Sequence, residues 1–209
     1  MLSVEIHSET RMGKIIDYYF SPVSPWTYLG HARLVAMAAK YGATIEPKPI
    51  DLGRVFPLSG GLPLAKRAPQ RQAYRMAELK RWREFLGIPL NVQPKFFPAP
   101  VDEASMLILA AVEVGRDAAL NLSGALLRAC WAEDRDIADA ATLGVIAAEQ
   151  GLDAAALLAA APAMQSRFDA LTQEAIDRQV FGAPFMFIDE EPFWGQDRLD
   201  FVERKLARA

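Results

Sequence analysis

Strand-forming sequence occurs only at the two ends of this 209-residue chain, and more than a hundred residues of helix-forming sequence separate them. KIIDYYF, residues 14–20, is largely β-branched or aromatic and is bounded by Gly13 and Pro22, which predicts a short buried strand. Ser24 can cap the helix that follows. Pro25 then falls at its first position, where the missing N–H costs nothing, and Gly42 stops it after Lys40. ATIEPKPIDL, residues 43–52, reads as a second strand whose Pro47 and Pro49 mark an edge or an ending. The middle begins with LSGGLPLAKRAP, read as a flexible loop, and continues with helix-forming stretches near 69–87, 102–115, 117–132, 139–150 and 153–180. Strand character returns only in APFMFID and EPFW, separated by an acidic turn at Asp189–Glu191, with a last helix from Asp197 to Ala207. A C-terminal hairpin and helix completing an N-terminal βαβ unit give the order β-α-β, helical insertion, β-β-α.

That order is the thioredoxin arrangement, an α/β fold with a large all-α insertion between its βαβ and ββα halves. Residues 13–52 and 181–209 then form a discontinuous thioredoxin-like domain, 53–180 the helical insertion and connecting helix, and 1–12 a flexible extension. The length suffices for one large domain or a small domain carrying an insertion. Hydrophobic residues make up 52% and charged ones 23%, with a net charge of -3, so there is no global attraction to nucleic acid or to an anionic membrane. No apolar run approaches the roughly 20 residues that span a bilayer, and MLSVEIHSETRM does not resemble a secretory signal. The single cysteine, Cys130, excludes an intrachain disulfide and fits a reducing, cytoplasmic setting. With that cysteine and two histidines, His7 and His31, no metal-ligand cluster is expected.

SPVSP, residues 21–25, stands where the first strand meets the first helix. A helix N-terminus presents unpaired N–H groups and a partial positive charge, which stabilise an anion beside it. Ser24 reads as the cap. Ser21 reads either as a second cap or as a hydroxyl that donates to an anion, such as a thiolate supplied from outside the chain.

A second feature lies in the predicted helix at 69–87. At 100° per residue Met76, Leu79, Trp82 and Leu86 form one apolar stripe, with Arg75 inside it and Arg71 at its edge. An arginine among apolar residues needs a partner, because an unpaired buried charge is costly. That partner is either an internal carboxylate or a substrate carboxylate gripped by the guanidinium fork. Lys66 and Arg67 lie just upstream and could close over the same pocket; Asn91, Pro94, Phe97, Trp26 and Tyr28 are candidate walls or ordinary packing.

DYYFSPVSPWTYLG resembles the start of 2-hydroxychromene-2-carboxylate isomerases and kappa-class glutathione transferases, which carry Ser-Pro-x-Ser where disulfide oxidoreductases carry Cys-x-x-Cys. FGAPFMFIDEEPFWGQDRLDFVE resembles their segment around a cis-proline, a hairpin and a Gly-x-Asp-Arg turn, and LPLAKRAPQRQAYRMAELKRWREFLGIPL looks like the isomerase branch. The resemblance implies glutathione as cofactor, held by Ser21, the backbone of Ala183 before a cis Pro184, Gln196 and Asp197. It also implies a small aromatic carboxylate held by Arg71, Arg75, Lys66, Asn91 and Trp26, an isomerase reaction, and a homodimer. By the sequence alone a trans Ala183–Pro184 bond is favoured, and Asp197 reads equally as a first-turn acid or helix cap. Pro25 and Trp26 depart from the tyrosine that follows the second serine in the family pattern.

Overall fold

The computed structural model describes residues 13–208; the N-terminal extension at 1–12, with His7, lies outside the described residues. Strand β1 (Ile15–Phe20) runs through the SPVS turn into helix α1 (Pro25–Tyr41), and β2 (Thr44–Pro49) returns parallel to β1. Helix α1 begins as the sequence predicts, with the Ser24 side chain accepting from the N–H of Thr27 and Pro25 in the first turn. It ends at Gly42, whose φ of 63° lets its N–H reach back to the last carbonyls. Strands β3 (Phe185–Ile188) and β4 (Glu191–Trp194) complete a four-stranded sheet in the order β2-β1-β3-β4, with β3 antiparallel to both β1 and β4. Prolines 47 and 49 therefore sit on an edge strand, where no ladder bond is lost.

The helices between are α2 (Leu52–Ser59), α3 (Pro69–Leu86), α4 (Asp102–Val114), α5 (Arg116–Ala132), α6 (Ala140–Glu149), α7 (Ala154–Ala160) and α8 (Gln165–Asp177), and α9 (Leu199–Ala207) closes the chain. Three local expectations are corrected. The second strand stops at Pro49, not at residue 52. The Asp51 carboxylate accepts from the Gly53 N–H at 2.7 Å and so starts α2, in the stretch the sequence suggests is strand and loop. The stretch 153–180 is not continuous: a 3-10 turn at Ala161–Met164 carries Pro162 and redirects the chain between α7 and α8. The last helix begins at Leu199, because residues Gln196–Arg198 form a separate 3-10 turn after Gly195, whose φ is 99°.

Alternation along the strands divides the sheet's side chains between two faces. Ile16, Tyr18, Phe20, Ile45, Met186 and Ile188 join a core shared with α1, α9 and the helical middle. Tyr19, Phe185 and Phe187 point the other way and pack with Ile50, Val55, Ala175 and Val180, so α2 and α8 cover the second face. A charged strap crosses that second face. Lys48 contacts Asp17 at 2.9 Å and Glu174 at 2.6 Å, and Arg178 contacts Asp17 at 2.7 Å while lying 4.0 Å from the centre of the Phe187 ring. Burial pushes the Asp17 carboxyl up, but the hydrogen bonds and charges of Arg178 and Lys48 outweigh it and hold the group below its usual range. Among the described residues no helix is long and apolar enough to cross a membrane.

Candidate active site

Ser21 directly follows β1 and is only 1% exposed. The Ser24 N–H donates to the Ser21 carbonyl at 3.0 Å, closing the turn between strand and helix. Ser24 is the cap: its hydroxyl accepts from the Thr27 N–H at 3.2 Å and donates to the carbonyl of Ala183 at 3.4 Å. Ser21 Oγ takes no side-chain partner among the described residues. Thr27 Oγ1, in the first turn of α1, is buried without a hydrogen-bond partner. The end of α1 thus gathers unfilled hydrogen-bonding capacity beside its partial positive charge.

Two more segments converge there. The Ala183–Pro184 bond is cis, and the Pro184 carbonyl accepts from the Gly195 N–H at 2.9 Å, fastening this segment to the turn before α9. Gln196 in that turn is 2% exposed, and its side-chain oxygen accepts from Arg33 at 2.9 Å. A Cβ at Gly30 would stand 2.7 Å from the Gln196 Cβ, so α1 can approach the turn this closely only with glycine there. Residues 21–24, 183–184 and 195–197 are therefore one hydrogen-bonded and packed unit. Asp197 lies at its exposed rim and pairs with Arg198 at 2.7 Å; Gly195, not Asp197, occupies the capping position of the turn.

Arg75 is 9% exposed on α3, and no carboxylate forms an ion pair with it among the described residues. Its guanidinium lies 5.3 Å from the centre of the Phe97 ring and 5.6 Å from that of Trp131, two rings tilted at 49° with centres 4.9 Å apart. Of the two partners open to it from the sequence, an internal carboxylate is absent among the described residues. Burial pulls its pKa down to about 10, with a further push from Arg67. Trp131 connects the arginine to the serine turn, since its indole N–H donates to the Val23 carbonyl at 3.2 Å. Arg71 and Lys66, upstream of Arg75, are both exposed. Asn91 donates its backbone N–H to the Trp131 carbonyl at 2.6 Å. Trp26 is half-buried and packs on the main core, and the Tyr28 hydroxyl donates to the Pro89 carbonyl at 2.6 Å, a packing role.

Two other reactive groups are inert. His31 is buried; its Nε2 lies 2.9 Å from the Leu120 carbonyl, which can only accept, so Nδ1 accepts from the Tyr18 hydroxyl at 3.3 Å. Burial lowers its pKa to about 4, against a smaller opposing effect of the Leu120 bond, and it stays neutral. Cys130 is buried in α5, and burial, aided by Asp134 and Asp136, pushes its thiol up to about 12.

Residues 15–207 match the family of DsbA-like thioredoxin domains. The chain is 35% identical over 198 residues to 2-hydroxychromene-2-carboxylate isomerase of Sphingobium xenophagum, covering 93% of this chain and 99% of that protein. It belongs to this isomerase family. Identity to the protein of the same name from Pseudomonas putida is also 35%, over 202 residues that cover 93% and 95% of the two chains. The solved structure of a 2-hydroxychromene-2-carboxylate isomerase superposes with a TM-score of 0.76 at 31% identity, over 93% of this chain and 95% of that one. A weaker likeness, 23% identity over 210 residues covering 93% of this chain and 92% of the relative, is to glutathione s-transferase kappa 2 of Caenorhabditis elegans.

Proposed function

We propose that the chain is a glutathione-dependent isomerase interconverting 2-hydroxychromene-2-carboxylate and trans-o-hydroxybenzylidenepyruvate. The observation that carries this reading is the joint placement of a partnerless serine at the start of α1, hydrogen-bonded neighbours of a cis-proline, and a buried arginine without a carboxylate one aromatic ring away. The names of the isomerase relatives support the reaction, and the kappa-class likeness supports glutathione.

The residues suit that cofactor. The chain has no thiol of its own at this turn, because Cys130 is buried in α5 with its proton held, while the Ser21 hydroxyl and the first turn of α1, with the unpartnered Thr27 Oγ1, offer donors to an anion. Glutathione held there would supply a thiolate as a reversible nucleophile toward the conjugated, ring-opened acid, with the displaced π pair taken up by the adjacent keto acid and returned when the thiolate leaves, chemistry that permits rotation and leaves the thiol unconsumed. Ser21 Oγ–H donates to the sulfur and keeps it anionic. The Ala183 backbone offers an N–H and a carbonyl, the latter shared with Ser24, to the cysteinyl unit in the manner of an added strand. Gln196 and the amides of its turn hold the γ-glutamyl carboxylate, and Asp197 at the rim holds the ammonium. Arg75 grips the carboxylate of the aromatic acid and fixes its orientation, with Arg71, Lys66, Asn91 and Trp26 around the mouth. A homodimer in a reducing cytoplasm accompanies this reading.

The test is a calorimetric titration with glutathione on wild type and Ser21→Ala, following the bound thiol by thiolate absorbance, together with product analysis on the chromene acid. Wild type should bind and lower the thiol pKa, Ser21→Ala should lose the shift, and glutathione should be recovered intact. If neither protein binds glutathione, the mechanism is wrong; if glutathione is consumed, transfer replaces isomerisation.

A further inference from the structure

Helix α3 has a second face that its own chain leaves open. Of its 18 residues only Arg75 and Leu79 are buried, with Trp82 and Leu86 packed partly on the core beside them. At 100° per residue another stripe lies about 100° round the helix from that one. It holds Tyr74, Glu78, Arg81 and Phe85, and its two rings are 62% and 77% exposed. Intervals of four, three and four residues are the spacing of a seam between two helices. Phe85 rests on Trp82 of its own helix, with ring centres 5.6 Å apart, and most of the seam's aromatic surface faces water.

The seam reads the same from both ends: ring, charge, charge, ring. A two-fold axis midway between Leu79 and Lys80 sets Tyr74 against the partner's Phe85 and Glu78 against the partner's Arg81, and the symmetry makes each contact twice. The charges are already held in the seam, because Arg81 donates to Glu78 and its guanidinium lies 5.9 Å from the centre of the Tyr74 ring. A second copy running the opposite way closes them into a cluster of alternating sign. A copy running the same way would set glutamate beside glutamate and arginine beside arginine, which selects the antiparallel arrangement. The exposed rings near β4 offer less: Phe181 and Trp194 lie against each other with centres 4.8 Å apart, and Pro192 withholds a donor from any added strand.

We propose that two copies of this chain associate through α3, antiparallel about this axis, with Tyr74 and Phe85 as the apolar ends and Glu78 and Arg81 as the charged centre. The proposal gives a surface to the homodimer named above and rests on that part of the reading alone; it needs nothing of the thiol chemistry.

Sedimentation of the full chain without thiol, over a range of protein concentrations, compares wild type with Phe85→Glu, Glu78→Arg and Arg81→Glu, with circular dichroism to confirm folding. Wild type should be a dimer, and each variant should raise the dissociation constant about tenfold or more. The charge variants are then mixed in equal amounts, one of them carrying a fluorescent label. Alone, each brings only like charges together across the axis; in the mixture every such contact is again an arginine against a glutamate. Dimers containing one chain of each kind should therefore re-form, a rescue that a change confined to one helix cannot give. A monomeric wild type, a dimer that the variants leave intact, or folded charge variants that fail to associate on mixing overturns the proposal. Should a charge variant not fold, Phe85→Glu decides, and an unchanged dimer overturns it. Ser21→Ala should associate as wild type does, so a failure of the glutathione mechanism and a failure of this interface give different results.

Discussion

Replacing Arg75 by methionine sets stability against binding in a single side chain. The guanidinium is buried, faces Phe97 and Trp131, and has no carboxylate partner among the described residues. Its pKa is pulled well below the usual guanidinium range to about 10, which at about 1.4 kcal/mol per decade is roughly 3 kcal/mol set against the charged form. Two aromatic faces return about 0.5–1 kcal/mol each. Methionine keeps most of the apolar stem and fills irregular gaps, so little packing is lost. The net expectation is a gain of about 1–2 kcal/mol, or about 2–8 °C in melting temperature for a chain of this length. Over the same substitution, affinity for an aromatic carboxylate should fall about tenfold or more, the loss expected when a charged hydrogen-bond pair is removed. Urea unfolding followed by fluorescence and circular dichroism measures the first quantity and calorimetry the second. A variant that is less stable than wild type by more than about 1 kcal/mol would refute the reasoning, because the arginine would then be a structural element and its lack of a partner would no longer point to a ligand.

Two further outcomes follow from the same geometry. Asp17 lies between Lys48 and Arg178 with its carboxyl held below the usual range, so its contribution is present above about pH 4 and is lost as pH falls through the lowered value. Asp17→Asn should be less stable by about 1–3 kcal/mol at neutral pH, with the gap closing on acidification; stability curves that stay parallel down to acid would exclude the role. Ser21→Cys places a thiol at the start of α1, and its pKa should fall well below the ordinary value of about 8.5, while Cys130 stays protonated. A thiolate absorbance titration showing no group ionising below that value would remove the helix N-terminus from the mechanism.

The helix boundaries around Ser24, Pro25 and Gly42 were readable because each residue satisfies a specific unpaired group or backbone angle. The order of elements along the chain was readable because β character is confined to the chain ends. Helix α2 was not, since Ile50 and Leu52 alternate as a strand would and only the turn of Asp51 toward Gly53 stops it. In the candidate site, Ser21 and Arg75 stood out in the sequence by being polar where apolar or capping residues would serve. Arg33 did not, because an exposed-looking arginine in a helix gives no sign that it will hold Gln196 from 163 positions away. Trp131 had a readable clue: a tryptophan in an alanine-rich helix must find an acceptor for its N–H, but the sequence does not say that the acceptor is Val23.

That one bond gives the molecule a ruler. Trp131 belongs to α5, its ring carries Arg75, and its N–H is pinned to the turn that presents Ser21. The span between the anchor for an acid and the anchor for a sulfur is therefore set by where α5 rests on α1, not by either anchor alone. Substitutions buried between those two helices, far from any reacting atom, would lengthen or shorten the span, and relatives could come to accept longer or shorter acids while keeping both the serine and the arginine.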